Sequence, residues 1–204
     1  MALSLPLSPL PHISNSCHVN SVLTLLSSLT YIKKHIREPL LYQILSQQPY
    51  LMKSPLSVLT SFCNMYDISY INPCDANDTL KKILHNTNIP KNILLYLDCS
   101  DDLLSSIDRK LSFSDLIHKY HPIYIITNSQ DFQIVIDSDK IQYDFTILVN
   151  NKPDVSYSLR GVVLYNGSHY TTFIEDSLYN DLYRQRIKTN DASGFPSIYL
   201  YIRK

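Results

Sequence analysis

Apolar positions recur at helical spacing in the first half of the chain and gather in short β-branched and aromatic runs in the second. Residues 17–34 carry Val19, Val22, Leu23, Leu25, Leu26 and Leu29 close to a 3.6-residue period, with Asn15 or Ser16 placed to cap the start. Residues 34–47, 55–66 and 75–85 read as further helices, the last with Ala76, Leu80, Ile83 and Leu84 on one face. Ser112-Phe113-Ser114-Asp115 opens a capping-box pattern for a short helix over 112–120. Residues 123–126, 132–136, 143–149, 159–165, 170–174 and 198–202 have the composition of strands, with turn residues between them, and 93–97 is strand-like as well. Helices followed by an antiparallel run of strands predict an α+β arrangement.

At 204 residues the chain fits one ordinary domain and can bury a real core. No internal repeat is evident. A Ser/Pro/Leu-rich start marks 1–11 as an N-terminal extension, leaving 12–204 as a single domain with a helical half over about 12–120 and a β half over about 121–204. Apolar residues make up 45% and charged residues 18%, a globular balance. Lys plus Arg equals Asp plus Glu at 18 each, so nucleic acid is not the expected partner. No run approaches the ~18 apolar residues of a membrane helix, and the first residues lack the basic region of a signal peptide. Cys17, Cys63, Cys74 and Cys99 form no C-x-x-C pair, which argues against structural zinc and predicts reduced thiols in a cytosolic or nuclear setting, with no cofactor or metal.

Two segments carry candidate chemistry. Asn15-Ser16-Cys17-His18-Val19-Asn20-Ser21 puts a thiol at a predicted helix start. Tyr157 and the residues up to Tyr170 put His169 just after a glycine-containing turn. Brought together in the fold, a thiol and an imidazole make a nucleophile and its base, whatever their separation in sequence. Only three glycines occur, and Gly161 and Gly167 both lie close before His169, which marks that segment as geometrically demanding. Cys17 at a helix N-terminus is expected to have a lowered thiol pKa, because unpaired amides there favour negative charge.

Both segments resemble the signature boxes of the ubiquitin-specific proteases, the papain-like deubiquitinases. The first is similar to that family's cysteine box, Asn-Thr-Cys-Tyr-x-Asn-Ser. The second resembles its histidine box, in which Tyr-x-Leu-x-Gly/Ala-Val-Val leads to Gly-His-Tyr and an apolar strand. In the same order along the chain, Cys74-Asp75-Ala76-Asn77-Asp78-Thr79-Leu80 resembles the family's Gln-Asp-Ala-x-Glu-Phe-Leu helix, and Ile198-Tyr199-Leu200-Tyr201-Ile202-Arg203 its closing strand. The resemblance implies a papain-like fold, with an N-terminal helical thumb packed on a C-terminal antiparallel β-sheet palm. The fingers insertion is reduced or absent, a pared-down form of the kind a virus or mobile element carries. It also implies a monomeric thiol deubiquitinase acting after the C-terminal Gly-Gly of ubiquitin or a ubiquitin-like protein. Alternatives are a viral-type cysteine protease acting on a polyprotein and a catalytically inactive ubiquitin-binding module.

By that resemblance Cys17 is the nucleophile and His169 its base. Tyr179-Asn180-Asp181 matches the triplet supplying the third catalytic residue, pointing to Asn180 with Asp181 beside it, although Asn-Asp is also a turn dipeptide. The family's oxyanion asparagine sits five positions before the cysteine, where this chain has His12. His12 is the expected oxyanion donor, with Asn15 as the alternative. The glycines of the cysteine and histidine boxes are replaced by Ser14 and Ser168. Asp75 and Asp78 are expected to meet the arginines that precede Gly-Gly in the substrate, with Ser168 and Tyr170 also substrate-binding. Asp75 stands equally well as a helix N-cap.

Overall fold

The computed structural model describes residues 10–46, 54–87, 89, 94–98, 123–127, 144–149, 152–183, 186–189 and 193–203. Its helices are α1 (Cys17–Ser27), α2 (Thr30–Lys33), α3 (Pro39–Ser46), α4 (Pro55–Met65) and α5 (Ala76–Asn86). They are followed by strands β1 (Leu94–Asp98), β2 (Ile123–Thr127), β3 (Asp144–Val149), β4 (Lys152–Tyr165), β5 (Tyr170–Ile174), β6 (Ser177–Tyr179), β7 (Ile187–Lys188) and β8 (Phe195–Arg203). The strands form one sheet in the order β1-β2-β8-β4-β5-β6-β7, with β3 also paired to β4. Its pairings are antiparallel except for β1 with β2 at one edge. The class is α+β, as the segregation of helical and strand patterns predicts. The predicted helix over 112–120 and strand over 132–136 lie outside the described residues.

The helical pattern over 17–34 is split into two helices. Ser27 Oγ donates to the Thr24 carbonyl at 2.8 Å and Ser28 Oγ to the Leu25 carbonyl at 2.6 Å, so paired serines draw off backbone acceptors. Leu29 then leaves helical geometry at φ −91°, ψ 86°, and α2 restarts at Thr30. The pattern over 34–47 begins as helix only at Pro39, whose ring suits a first helical position. The Glu38 carboxylate accepts from the Leu40 amide at 2.8 Å and from the Leu41 amide.

Helix α1 is buried on every side: each residue from Cys17 to Leu26 is inaccessible to solvent or nearly so. Such a helix lies inside a protein, not on it. α1 packs against β4 and β5 on one side and α3 and α5 on the other. Val19, Leu23 and Leu26 share a core with Phe62, Leu80, Ile83, Val163, Ile174, Ile198 and Leu200. The buried Thr172 hydroxyl on β5 donates to the Ser21 carbonyl of α1 at 2.9 Å, fixing the helix along the strand.

Gly161 on β4 sets how closely α1 approaches the sheet. A Cβ there would lie 2.6 Å from Leu25 Cδ1 and 3.3 Å from the Phe173 carbonyl oxygen, with Ile174 Cγ1 also at 3.3 Å. Leu25 is fully buried and has no free direction of retreat. Gly161→Ala is therefore expected to lower stability by about 1–3 kcal/mol, the usual cost of overpacking. A denaturant melt with an unchanged midpoint would show that the helix does not rest on this glycine.

Candidate active site

Cys17 opens α1, and the chain leading to it is held by its own polar groups. The Ser16 hydroxyl accepts from the Ile13 amide at 2.9 Å and from Asn20 Nδ2 at 3.1 Å, and so makes no side-chain cap to the helix that follows. Ser14 has φ 48°, the left-handed region that disfavours residues with a Cβ. The serine standing at the family's glycine position thus keeps the backbone that glycine suits. Asn15 is tied to the loop before α5, its amide donating to the Ile71 carbonyl at 2.5 Å and its backbone N–H to the Tyr70 carbonyl at 2.9 Å. One N–H of the Asn15 amide, the alternative oxyanion donor, is thus used by this loop.

His169 is positioned by a tight connection between β4 and β5. Gly167 has φ 95°, which a glycine tolerates and other residues rarely do. The Asn166 Oδ1 accepts from the His169 amide at 2.9 Å and from the Ser168 amide at 3.2 Å, while Tyr165 donates its hydroxyl to the Gly167 carbonyl at 2.6 Å. Ser168 is an exposed turn residue whose hydroxyl lies 3.3 Å from the same Asn166 oxygen.

The imidazole reaches the residues after β6. His169 Nε2 is 3.0 Å from Asn180 Oδ1 and 3.1 Å from Asp181 Oδ1. The Asn180 oxygen also accepts from the Leu182 amide at 3.0 Å, which fixes the orientation of its amide. Both groups facing Nε2 are acceptors, so Nε2 carries the proton and a neutral His169 has its lone pair on Nδ1. The Asp181 carboxylate, whose side chain is 3% exposed, also meets His12 Nδ1 at 3.0 Å and Asn20 Nδ2 at 2.6 Å through Oδ2. The rings of His12 and His169 lie with centroids 6.1 Å apart. One buried carboxylate therefore joins the segment before α1, α1 itself and the histidine turn.

The Cys17 sulfur belongs to the same cluster. The backbone amides of Tyr170, next to His169, and of His18 and Cys17 itself favour its thiolate, and the Asp181 charge opposes it. Its thiol pKa is nevertheless raised. Burial is the largest cause and the Asp181 carboxylate adds to it, while the three amides pull the other way. The expectation that the helix N-terminus leaves a lowered thiol pKa is corrected on this point: amides at a helix start favour thiolate less than loss of water disfavours it. His18, the next residue, is buried with Nδ1 2.7 Å from the Thr79 hydroxyl, and burial lowers its pKa.

Of the substrate-binding candidates, Asp75 caps α5, its Oδ1 accepting from the Asn77 amide at 2.8 Å. The Tyr170 hydroxyl approaches the same oxygen at 3.5 Å, and its ring lies tilted by 32° against that of Tyr165 with centroids 4.6 Å apart. Burial and the nearby Asp75 charge both favour the protonated Tyr170 hydroxyl. Asp78 is exposed in the first turn of α5. Asn20 and Asn166 have positions in the site that no role was expected for, although both stand inside the two sequence boxes. Among the described residues, no group of three or more His, Cys, Asp or Glu side chains is arranged to hold a metal ion.

No protein-family model and no curated protein sequence matches this chain. Solved structures do match in fold. A chain of the SAGA Ubp8/Sgf11/Sus1/Sgf73 DUB module bound to ubiquitin aldehyde superposes with a TM-score of 0.64 at 13% identity, covering 100% of this chain and 72% of that one. The Middle-East respiratory syndrome coronavirus papain-like protease in complex with ubiquitin gives 0.52 at 12% identity, covering 96% and 66%. A further structure of that coronavirus enzyme gives 0.57 at 12% identity, covering 99% and 68%. At these identities the likeness is one of fold.

A raised thiol pKa has a direct consequence for reactivity. Site-resolved alkylation of Cys17 by iodoacetamide is expected to be slower at neutral pH than that of a free cysteine, with its midpoint above the ordinary thiol value of about 8.5. Peptide mass spectrometry over a pH series measures this. A midpoint below that value would show that the amides outweigh burial.

Proposed function

We propose that this chain is a thiol-dependent hydrolase that cleaves the peptide or isopeptide bond after the C-terminal Gly-Gly of ubiquitin or a ubiquitin-like protein. The observation that carries the proposal is the cluster itself: an imidazole held through Nε2 by Asn180 and Asp181, with the neighbouring Tyr170 amide and the Asp181 charge both acting on the Cys17 thiol. Support also comes from the fold, which is shared with a DUB module bound to ubiquitin aldehyde and with a papain-like protease in complex with ubiquitin, and from the two sequence boxes.

In this reading His169 takes the Cys17 proton onto Nδ1, the nitrogen its acceptors leave bare. The thiolate attacks the carbonyl, the C–S bond forms and the π pair moves to oxygen. The oxyanion is met by the Cys17 amide and by His12 from just upstream. As the tetrahedral intermediate collapses, the C–N bond breaks and His169 passes its proton to the leaving amine. Water then attacks the thioester, giving one proton to His169; the C–S bond breaks, the freed sulfur takes that proton back from His169, and the carboxylic acid product departs and loses its remaining proton to solvent. Asn180 and Asp181 hold the ring throughout and stabilise its cationic form.

The buried, proton-retaining thiol also suits a ubiquitin-binding module that does no chemistry. A ubiquitin probe with a C-terminal electrophile separates the two. Covalent capture that vanishes in Cys17→Ala is the expected result; binding without capture supports the module, and no binding defeats both.

Asp75 is the candidate partner of the arginines before Gly-Gly. Asp75→Asn preserves an N-cap acceptor while removing the charge, so helix stability should hold. KM for a ubiquitin–fluorophore substrate is expected to rise several-fold with kcat little changed. Equal KM in the two proteins would remove Asp75 from the binding surface.

A further inference from the structure

Asn20 follows Cys17 by one turn of α1, so the two side chains share a face of the helix and lean toward its start. Its Nδ2 faces three acceptors: Asp181 Oδ2 at 2.6 Å, the Pro11 carbonyl at 3.1 Å and the Ser16 hydroxyl at 3.1 Å. A carboxylate and a backbone carbonyl only accept, so the nitrogen end of the amide belongs there and the oxygen end does not. The bond to Asp181 is the shortest of the three, as a charged acceptor makes it.

The donors divide between the two oxygens of that carboxylate. Asn20 and His12 meet Oδ2, while His169 Nε2 approaches Oδ1 at 3.1 Å. A carboxylate is planar, so holding Oδ2 from the helix fixes how Oδ1 faces the imidazole. Asn20 does this without adding charge. A lysine or arginine in its place would pair with Asp181 and cancel the field that favours a cationic His169. A neutral amide supplies the hydrogen bond and leaves the negative charge in place. Asp181 itself lies on the chain after β6, and α1, buried on every side, is the rigid element that reaches it.

We propose, building on the hydrolase reading above, that Asn20 is a positioning residue: its amide holds Asp181 so that Oδ1 stays on His169. It acts on the reaction only through that carboxylate, and no bond or proton changes at Asn20 itself. Asn20 is 2% exposed, which keeps it from the substrate and places its effect on kcat, not on KM. One helix thus carries the nucleophile and, a turn later, the group that steadies the partner of the base.

A double-mutant cycle tests this. Turnover of ubiquitin carrying a C-terminal fluorophore is measured for wild type, Asn20→Ala, Asp181→Ala and the double variant, Asn180 remaining on Nε2 in all four. Asn20→Ala is expected to lower kcat by about ten- to a hundredfold, the worth of a hydrogen bond to a charged group, with KM little changed. In the Asp181→Ala background the same substitution should change kcat by less than about twofold. A purely structural Asn20 gives an equal loss in both backgrounds, and that result overturns the proposal. ¹⁵N-edited NMR of the full wild-type chain needs no variant to fold. The Asn20 side-chain amide is expected to resist solvent exchange, with one proton shifted downfield by the carboxylate; a freely exchanging amide also overturns the proposal. No turnover by wild type overturns the hydrolase reading instead, while the amide resonance still reports whether Asn20 holds Asp181.

Discussion

The site depends on one buried carboxylate. Asp181 takes His12 from the approach to α1, Asn20 from α1 and His169 from the β4–β5 turn, so segments distant in sequence converge on two oxygens. Burying a carboxylate is costly unless hydrogen bonds and opposite charge replace its water, and removing one partner of such a group is far worse than never having built it. Its hydrogen bonds fall on Oδ2, and Oδ1 has only the ion-pair approach of His169, so the partners of this carboxylate gather only when all three segments are in place. Its desolvation thus couples formation of the site to formation of the fold.

That coupling would be of little use if α1 could slide against the sheet. Two contacts prevent it. At Gly161 the helix comes so near that a single methyl group does not fit, and the Thr172 hydroxyl ties the strand beside it to the Ser21 carbonyl. Both act within the stretch of α1 that follows Cys17, and β5 begins at Tyr170, whose amide favours the Cys17 thiolate. The placement of the Cys17 segment against the start of β5 is therefore set by core packing, where densities match those of crystals and small displacements are resisted. A loop-borne cysteine would lack this support.

The parts of the site that sequence made legible are those encoded locally. Cys17 and His169 stand out because their neighbours must make a helix start and a tight turn, and such backbone demands restrict residue type over a few positions. Asn180 and Asp181 could be located by their triplet, but that a single carboxylate serves two histidines is a long-range fact with no local signature. Asn20 was in view within the cysteine box, yet its partners Pro11, Ser16 and Asp181 gather only in the fold. The rise in the Cys17 thiol pKa escaped for the same reason: a helix N-terminus is visible in sequence, whereas its degree of burial is not. The break between α1 and α2 was hidden because apolar spacing continues through Leu29 while the serines before it turn inward. β6 and β7 are too short to show a period.

The cost of making thiolate at Cys17 has two sources that respond differently to charge placed nearby. Burial penalises an isolated negative charge but strengthens its attraction to an adjacent cation, because the same loss of water that raises the thiol also lowers the local dielectric. The repulsion from Asp181 persists only while that carboxylate is not balanced by charge on its imidazole partners. In the proposed mechanism a proton moved from Cys17 to His169 would place the new cation on a carboxylate already in contact with that imidazole, so the arrangement penalises a lone thiolate more than one paired with a charged His169.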